Sequence, residues 1–286
     1  MKSSTKIKII VFFVVFFLCF VDLRPLFRPK KPPIIVTPVV DETRKNYNNG
    51  SCYDMEKDLC FFIVHIDDNE SSWTEKERNE FIENKFLVSL DYLSRKADEY
   101  SVTLCTEYKS YPADNNTKVT YNGIVDTDVV TNGIQSDLLN QVAISMGYSS
   151  PEEMDSSLKN QFNVGQIAYL LALDKNGRSY KYSYVTDNNK KIEFCIFFDD
   201  AIKFTKSTCC STISHEILHL FGAEDFYDPY NEMPERERLA KQLYPDDIML
   251  TLVNDVNNAE IGAYTAYAVG WTDTLPEECD TEDWWN

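Results

Sequence analysis

The chain has 286 residues and carries 46 acidic against 28 basic side chains, a net charge of −18. Such an acidic balance argues against nucleic acid and against anionic lipid surfaces as partners, because both repel a negatively charged protein. The 236 residues that follow residue 50 suffice for one substantial hydrophobic core.

The first 21 residues predict export. Three lysines precede an unbroken apolar run from Ile9 to Val21, which fits the hydrophobic region of a signal peptide and is short for a membrane-spanning helix. No small-residue cleavage site follows, so a cleaved signal peptide and a retained anchor at 9–21 both stay open. We therefore expect a secreted or extracytoplasmic protein whose membrane contact, if the segment is retained, runs through this anchor alone.

Residues 22–50 are proline-rich and then polar, which is typical of a linker or stalk, and residues 51–286 are expected to form one domain. Seven cysteines lie outside the leader: Cys52, Cys60, Cys105, Cys195, Cys209, Cys210 and Cys279. No C-x-x-C spacing occurs among them. We therefore expect a disulfide framework rather than a metal cluster, with one thiol left over.

The first half of this domain mixes strands and helices. The apolar run from Cys60 to Ile66 predicts a buried strand, and residues 72–100 predict a long amphipathic helix. Thr74 and Glu77 form a capping box at the start of that helix. Further along, a strand is expected at 101–109 and helices at 135–146 and 151–160.

The second half continues the alternation. Strands are predicted at 166–173, 179–185 and 191–198, and helices at 207–222 and 260–270. The sequence Lys-Asn-Gly at 175–177 is typical of a hairpin turn, so the first two of these strands are expected to pair. Because helices and strands alternate, the fold class is α/β or α+β.

Residues 207–222 contain the most informative pattern, H-E-x-x-H, formed by His215, Glu216 and His219. On a helix, this spacing puts both imidazoles on one face, where they can share a metal ion. The intervening residues are apolar, as expected if the other helix faces pack into a core. Gly222 lets the helix end in a left-handed turn, so that Asp225 can return towards the histidines as a carboxylate ligand.

Other residues compete for these roles. Glu224, Glu232 and Glu235 are alternative third ligands, although the spacing favours Asp225. The third histidine of the chain, His65, lies inside an apolar strand and is interpreted as a core residue.

At these residues the chain resembles the metzincin clan of zinc peptidases, whose motif is H-E-x-x-H-x-x-G-x-x-H. An aspartate replaces the last histidine in some members, such as the snapalysins, and the run after Asp225 looks like that of immune-inhibitor-A-type peptidases. The resemblance covers residues 190–272. It implies a zincin fold with a twisted mixed sheet, a backing helix, a zinc helix and a small C-terminal subdomain. It also implies an edge strand beside the cleft, for which residues 191–198 are the candidate.

The resemblance further implies a methionine turn below the metal, for which Met249 is the candidate. Many members carry a tyrosine two residues after this methionine, and this chain has Thr251 there. A tyrosine contribution to catalysis would then come from Tyr227 or Tyr230.

These features predict an exported zinc endopeptidase with a protein or peptide as its substrate. Three protein ligands leave a fourth position on Zn²⁺ open for water, whose proton Glu216 takes and passes to the leaving amine. Two other classes stay open. One is an exported binding or adhesion domain with a vestigial zinc site, and the other is a zinc hydrolase of a non-peptide amide.

Overall fold

The computed structural model describes residues 50–114, 117–125, 134–186, 188, 190–200, 206–228 and 232–285. The predicted leader, almost all of the predicted linker, and Tyr230 lie outside these residues. Within this part of the chain, no helix combines the length and the apolarity needed to cross a bilayer.

A six-stranded sheet lies at the centre of the domain. Its strands are β1 (Leu59–Asp67), β2 (Tyr108–Tyr111), β3 (Val119–Thr120), β4 (Gln166–Asn176), β5 (Tyr180–Val185) and β6 (Lys191–Asp200). The strand order is β2-β1-β4-β6-β5, with β3 pairing to the end of β1. All pairs are parallel except that of β5 with β6. The central strands are continuous apolar runs because both faces of a mostly parallel sheet are covered.

The helices are α1 (Glu75–Phe81), a π-helical turn (Ile82–Phe86), α2 (Leu87–Glu99), α3 (Ile134–Ser145), α4 (Pro151–Phe162), α5 (Lys206–Leu220), α6 (Pro234–Leu243), α7 (Ala263–Ala268) and α8 (Glu282–Trp285). Short 3-10 helices cover Val256–Asn258 and Glu277–Cys279. The α/β class is therefore confirmed. The long helix is confirmed as α1, the π turn and α2, and it begins at the predicted capping box, where Thr74 N donates to the Glu77 carboxylate at 2.9 Å.

The sheet separates two hydrophobic cores. Side chains alternate along β1, so that Phe61 and Ile63 join the core that includes α2 and α5, whereas Phe62 and Val64 join the core with α3 and α4. On the face towards α5, β6 presents a small side chain, Cys195, whose thiol donates to the Glu216 carbonyl at 3.0 Å. Because Cys195 is small, α5 can approach the sheet closely at this point.

Two predictions about strand pairing are wrong. Residues 175–177 do not close a hairpin, because β4 is already paired on both sides, to β1 and to β6. The chain crosses to the far side of β6, and β5 then pairs antiparallel with β6. Consequently β6 (residues 191–198 of the prediction) is an interior strand, and β5 is the edge of the described sheet.

Two predicted elements are shorter than expected. The strand predicted at 101–109 begins only at Tyr108 and continues to Tyr111 as β2, because Ser101 adopts a positive φ of 64° after α2 and the next residues form no ladder until Tyr108. The helix predicted at 260–270 is limited to α7, since Gly262 is its extended N-cap and Gly270 has a φ of 91°.

The predicted disulfide framework is not found among the described side chains. No disulfide joins any two of Cys52, Cys60, Cys105, Cys195, Cys210 and Cys279. The side chain of the seventh, Cys209, is outside the described part of the chain. The other six cysteines sit on different elements, and all but Cys105 are buried. Burial raises the pKa of the Cys60 thiol to about 11 and that of Cys279 to about 12. Cys60 and Cys279 therefore act as small core residues rather than as reactive thiols.

Candidate metal centre

Helix α5 fixes both histidines of the H-E-x-x-H pattern. Its residues Ile217, Leu218 and Leu220 are fully buried, so the helix is held in the core by the predicted apolar faces. His215 and His219 lie one turn apart on the remaining face, and their Nε2 atoms are 3.1 Å apart.

A left-handed turn follows the helix and brings back the third residue. Gly222 has a φ of 103°, and Ala223 N donates to the Leu218 carbonyl at 3.2 Å. The reversal places Asp225 Oδ1 at 3.0 Å from His215 Nε2 and at 3.3 Å from His219 Nε2. The structure thus brings together the three residues that the sequence proposed as ligands.

The hydrogen bonds of the two imidazoles reveal which nitrogen atoms carry protons. His215 Nδ1 lies 2.9 Å from the Ile248 carbonyl oxygen, and His219 Nδ1 lies 2.7 Å from that of Ala223. Because a carbonyl only accepts, each Nδ1 must be the donor, which leaves a lone pair on each Nε2 of a neutral ring.

Three lone pairs therefore converge on one point. Asp225 Oδ1 is buried and receives no hydrogen bond from the described residues. Ligands of a tetrahedral zinc ion with bonds of roughly 2.0 Å lie about 3.3 Å apart, close to the separations observed here. These three residues could hold a metal ion, since their ligand atoms all lie within 4.8 Å of one another.

Without a metal, the same cluster attracts a proton. Burial opposes the charge on His219, but the neighbouring Asp225 carboxylate outweighs burial and raises the pKa of His219. Likewise, burial favours neutral Asp225, but the two adjacent imidazoles, which become cationic when they take up a proton, hold the pKa of Asp225 well below its usual range. A metal ion and a proton would therefore compete for this site.

Glu216 lies beside the cluster on the floor of an open cavity. Its side chain is buried, and burial raises the pKa of this carboxyl group. The cavity measures about 550 Å³ and has mainly apolar walls, with Phe81, Phe197 and Leu250 among them. A carboxylate with a raised pKa is a stronger proton acceptor, as general-base catalysis requires.

Tyr227 and Arg178 border both this cavity and a smaller one of about 250 Å³. The ring of Tyr227 stacks on His215 at 6.3 Å, and its hydroxyl accepts a 3.4 Å hydrogen bond from Arg178 Nη2. Tyr227, one of the two tyrosines considered as substitutes for a tyrosine at position 251, thus lies at the site, and the other, Tyr230, is outside the described residues.

The alternative ligands lie elsewhere. Glu224 pairs with Arg236 at 2.6 Å, Glu235 pairs with Arg238 at 2.7 Å, and Glu232 is exposed beside the smaller cavity. His65 is buried in β1, where burial lowers its pKa to about 3, in agreement with a core residue.

Met249 lies in a turn next to the loop that contains Asp225. Its side chain is fully buried, and its carbonyl accepts a 2.9 Å hydrogen bond from Phe226 N, next to Asp225. The preceding residue, Ile248, provides the carbonyl that orients His215. The turn therefore contacts both α5 and the loop that contains Asp225.

Asp247 organises this turn. Its buried carboxylate accepts hydrogen bonds from Met249 N at 2.8 Å, from Gly262 N at 2.6 Å and from Thr265 Oγ1 at 3.0 Å. Burial raises the pKa of Asp247 to about 6, so the side chain is mostly ionised at pH 7.5.

We expect Asp247→Asn to lower the free energy of unfolding by about 2–4 kcal/mol at pH 7.5, because the amide NH₂ cannot accept from the buried donors. Urea unfolding of the metal-free protein measures this loss. Asp98→Asn, at an exposed position on α2, is the matched control and should change stability by less than about 0.5 kcal/mol. Equal stabilities for the two variants would contradict the role of Asp247.

Sequence reasoning missed three residues of this region: Arg178, Arg236 and Asp247. None belongs to a motif, and each reaches the centre through tertiary packing. No protein-family model matches the chain, and no curated protein matches it. Fold and site together define an α/β protein with a candidate His-His-Asp metal centre.

Proposed function

We propose that this protein is an exported, zinc-dependent endopeptidase of metzincin type. One observation carries the proposal: two histidine Nε2 atoms and one Asp225 oxygen converge within 3.3 Å, while the Nδ1 atoms of both histidines are tied to carbonyl groups. A His-His-carboxylate set with one position left open is typical of catalytic zinc, whereas structural zinc is closed by four protein ligands.

His215, His219 and Asp225 would hold the metal. When bound, zinc supplies a Lewis acid that polarises the scissile carbonyl and acidifies water. Glu216 accepts the proton of the attacking water and delivers it to the leaving amine, a role for which its burial and raised pKa are suited. The Ile248 and Ala223 carbonyls keep both imidazoles in the tautomer that presents Nε2.

The surroundings of Glu216 support a peptide as the substrate. β5 pairs on one side only within the described sheet, so a substrate backbone could add to it as a further strand. The cavity beside Glu216 includes Ser179, which directly precedes β5, and Phe198 of β6. A substrate side chain could therefore enter the apolar cavity while its backbone follows β5.

Casein hydrolysis by the purified protein tests this function. We expect cleavage that stops completely with 1,10-phenanthroline and returns on addition of Zn²⁺, because the chelator would remove the metal that His215, His219 and Asp225 would hold. Stoichiometric zinc without cleavage of casein or of a mixed peptide library would instead favour the binding-domain alternative. Turnover of small amides only would favour the non-peptide hydrolase.

A further inference from the structure

Arg236 is a buried cation close to the metal centre. It lies on α6, and its side chain is 5% exposed. Its guanidinium lies 5.7 Å from the ring centre of Phe226 and 5.6 Å from those of Tyr264 and Trp284. These three rings, which also contact one another, form an aromatic box around the charge.

The hydrogen bonding of Arg236 is incomplete. Nη1 pairs with Glu224 at 2.6 Å, but Nε and Nη2 are buried and have no hydrogen-bond partner among the described residues. Burying a charged group with unused donors destabilises a fold, and an apolar side chain of similar size is often as good or better for stability. A contribution to fold stability therefore does not explain why an arginine occupies this position.

The two residues that Arg236 holds flank Asp225 in sequence. Glu224 precedes Asp225 and is bound by the ion pair, whereas Phe226 follows Asp225 and packs against the guanidinium. Residues 223–228 form neither helix nor strand, so Asp225 lacks the rigid support that α5 gives to both histidines. The position of its carboxylate depends on these flanking contacts and on the Phe226–Met249 hydrogen bond.

We propose that Arg236 is a positioning residue for the third metal ligand. Through its ion pair with Glu224 and its packing against Phe226, it holds Asp225 within reach of the two histidines. This role rests on the proposed function, in which the three residues bind zinc. Its consequence is that the ion pair and the aromatic box set metal affinity rather than the stability of the fold.

Zinc affinity of the full-length protein, measured by competition with a chromogenic chelator, tests this role. We expect Arg236→Met to raise the Kd for zinc about 10–100-fold, as losses of supporting contacts around metal ligands do, while urea unfolding of the metal-free protein changes little. Arg236→Lys keeps the charge but not the planar fork, so an intermediate Kd is expected. Lys159→Met removes another ion pair, that with Asp155 on the opposite face of the sheet, and should leave the Kd unchanged.

Glu224→Gln removes the same ion pair from its half-exposed side. This variant tests the role of Arg236 even if Arg236→Met does not fold. It should raise the Kd in wild type and have no further effect in the Arg236→Met background, since the two residues act through one contact. An unchanged zinc Kd in the folded Arg236 or Glu224 variants would overturn the role of Arg236 alone. A wild-type protein that binds no zinc would overturn the proposed function together with it.

Discussion

Replacing Glu216 with glutamine is expected to lower kcat for peptide hydrolysis by about 10²–10⁴-fold while zinc stays bound. Glutamine has nearly the same shape as glutamate but cannot accept a proton from water. The three candidate ligands are untouched by the change, because Glu216 is not among the converging atoms. Hydrolysis rates and zinc content are therefore measured on the same preparations.

Glu235→Gln is the matched control, since this exposed residue of α6 pairs only with Arg238 in the described structure. It should keep both activity and zinc. Wild-type hydrolysis rates in Glu216→Gln would contradict the assignment of Glu216 as the proton acceptor, and loss of zinc in this variant would mean that Glu216 belongs to the ligand set.

Replacing one of the two candidate histidine ligands should abolish the increase in unfolding free energy that zinc gives. A ligand that binds only the folded state at 100 times its Kd stabilises that state by about 2.7 kcal/mol. We expect wild type to show a gain of this size at such a zinc concentration and His219→Ala to show none. The gain is measured as the difference in unfolding free energy with and without zinc.

His65→Gln serves as the control for this experiment, because it removes the remaining histidine, which lies in β1 away from the cluster. Its intrinsic stability is expected to fall, since His65 packs between Trp73 and Phe81. Its zinc-dependent gain should nevertheless equal that of wild type. A full gain in His219→Ala would show that zinc binds elsewhere.

The features that were predicted well from sequence rest on local signals. The capping box at Thr74 and the apolar run of β1 act within a few residues, and neither needs knowledge of distant contacts. The relative positions of His215, Glu216 and His219 can be predicted from sequence for the same reason, because helical spacing alone fixes them. Gly222 likewise adopts the left-handed conformation for which glycine was expected.

Strand pairing depended on distant contacts and was predicted poorly. The turn signal at 175–177 does mark the end of β4, but no hairpin forms there because β1 and β6 already occupy both edges of β4. No local pattern reveals that competition. A cysteine count likewise carries no information about which side chains meet, and no disulfide joins the described cysteines.

The supporting residues of the site could not be predicted for a related reason. Asp247 and Arg236 lie 22 and 11 residues beyond Asp225, and folding alone brings them to the turn and the loop beside the candidate metal ligands. Nothing in their sequence surroundings separates them from the many other charged residues of this chain. The candidate ligands belong to a sequence motif, whereas the residues that contact their surroundings are brought there by tertiary packing.

Anomalous diffraction at the zinc absorption edge, from crystals of the zinc-loaded protein, tests the proposed three-ligand zinc site. We expect a single strong peak at about 2.0–2.2 Å from His215 Nε2, His219 Nε2 and an Asp225 carboxylate oxygen, with no fourth protein ligand. A peak bound by other residues, a fourth protein ligand that closes the site, or no peak at this cluster would contradict it.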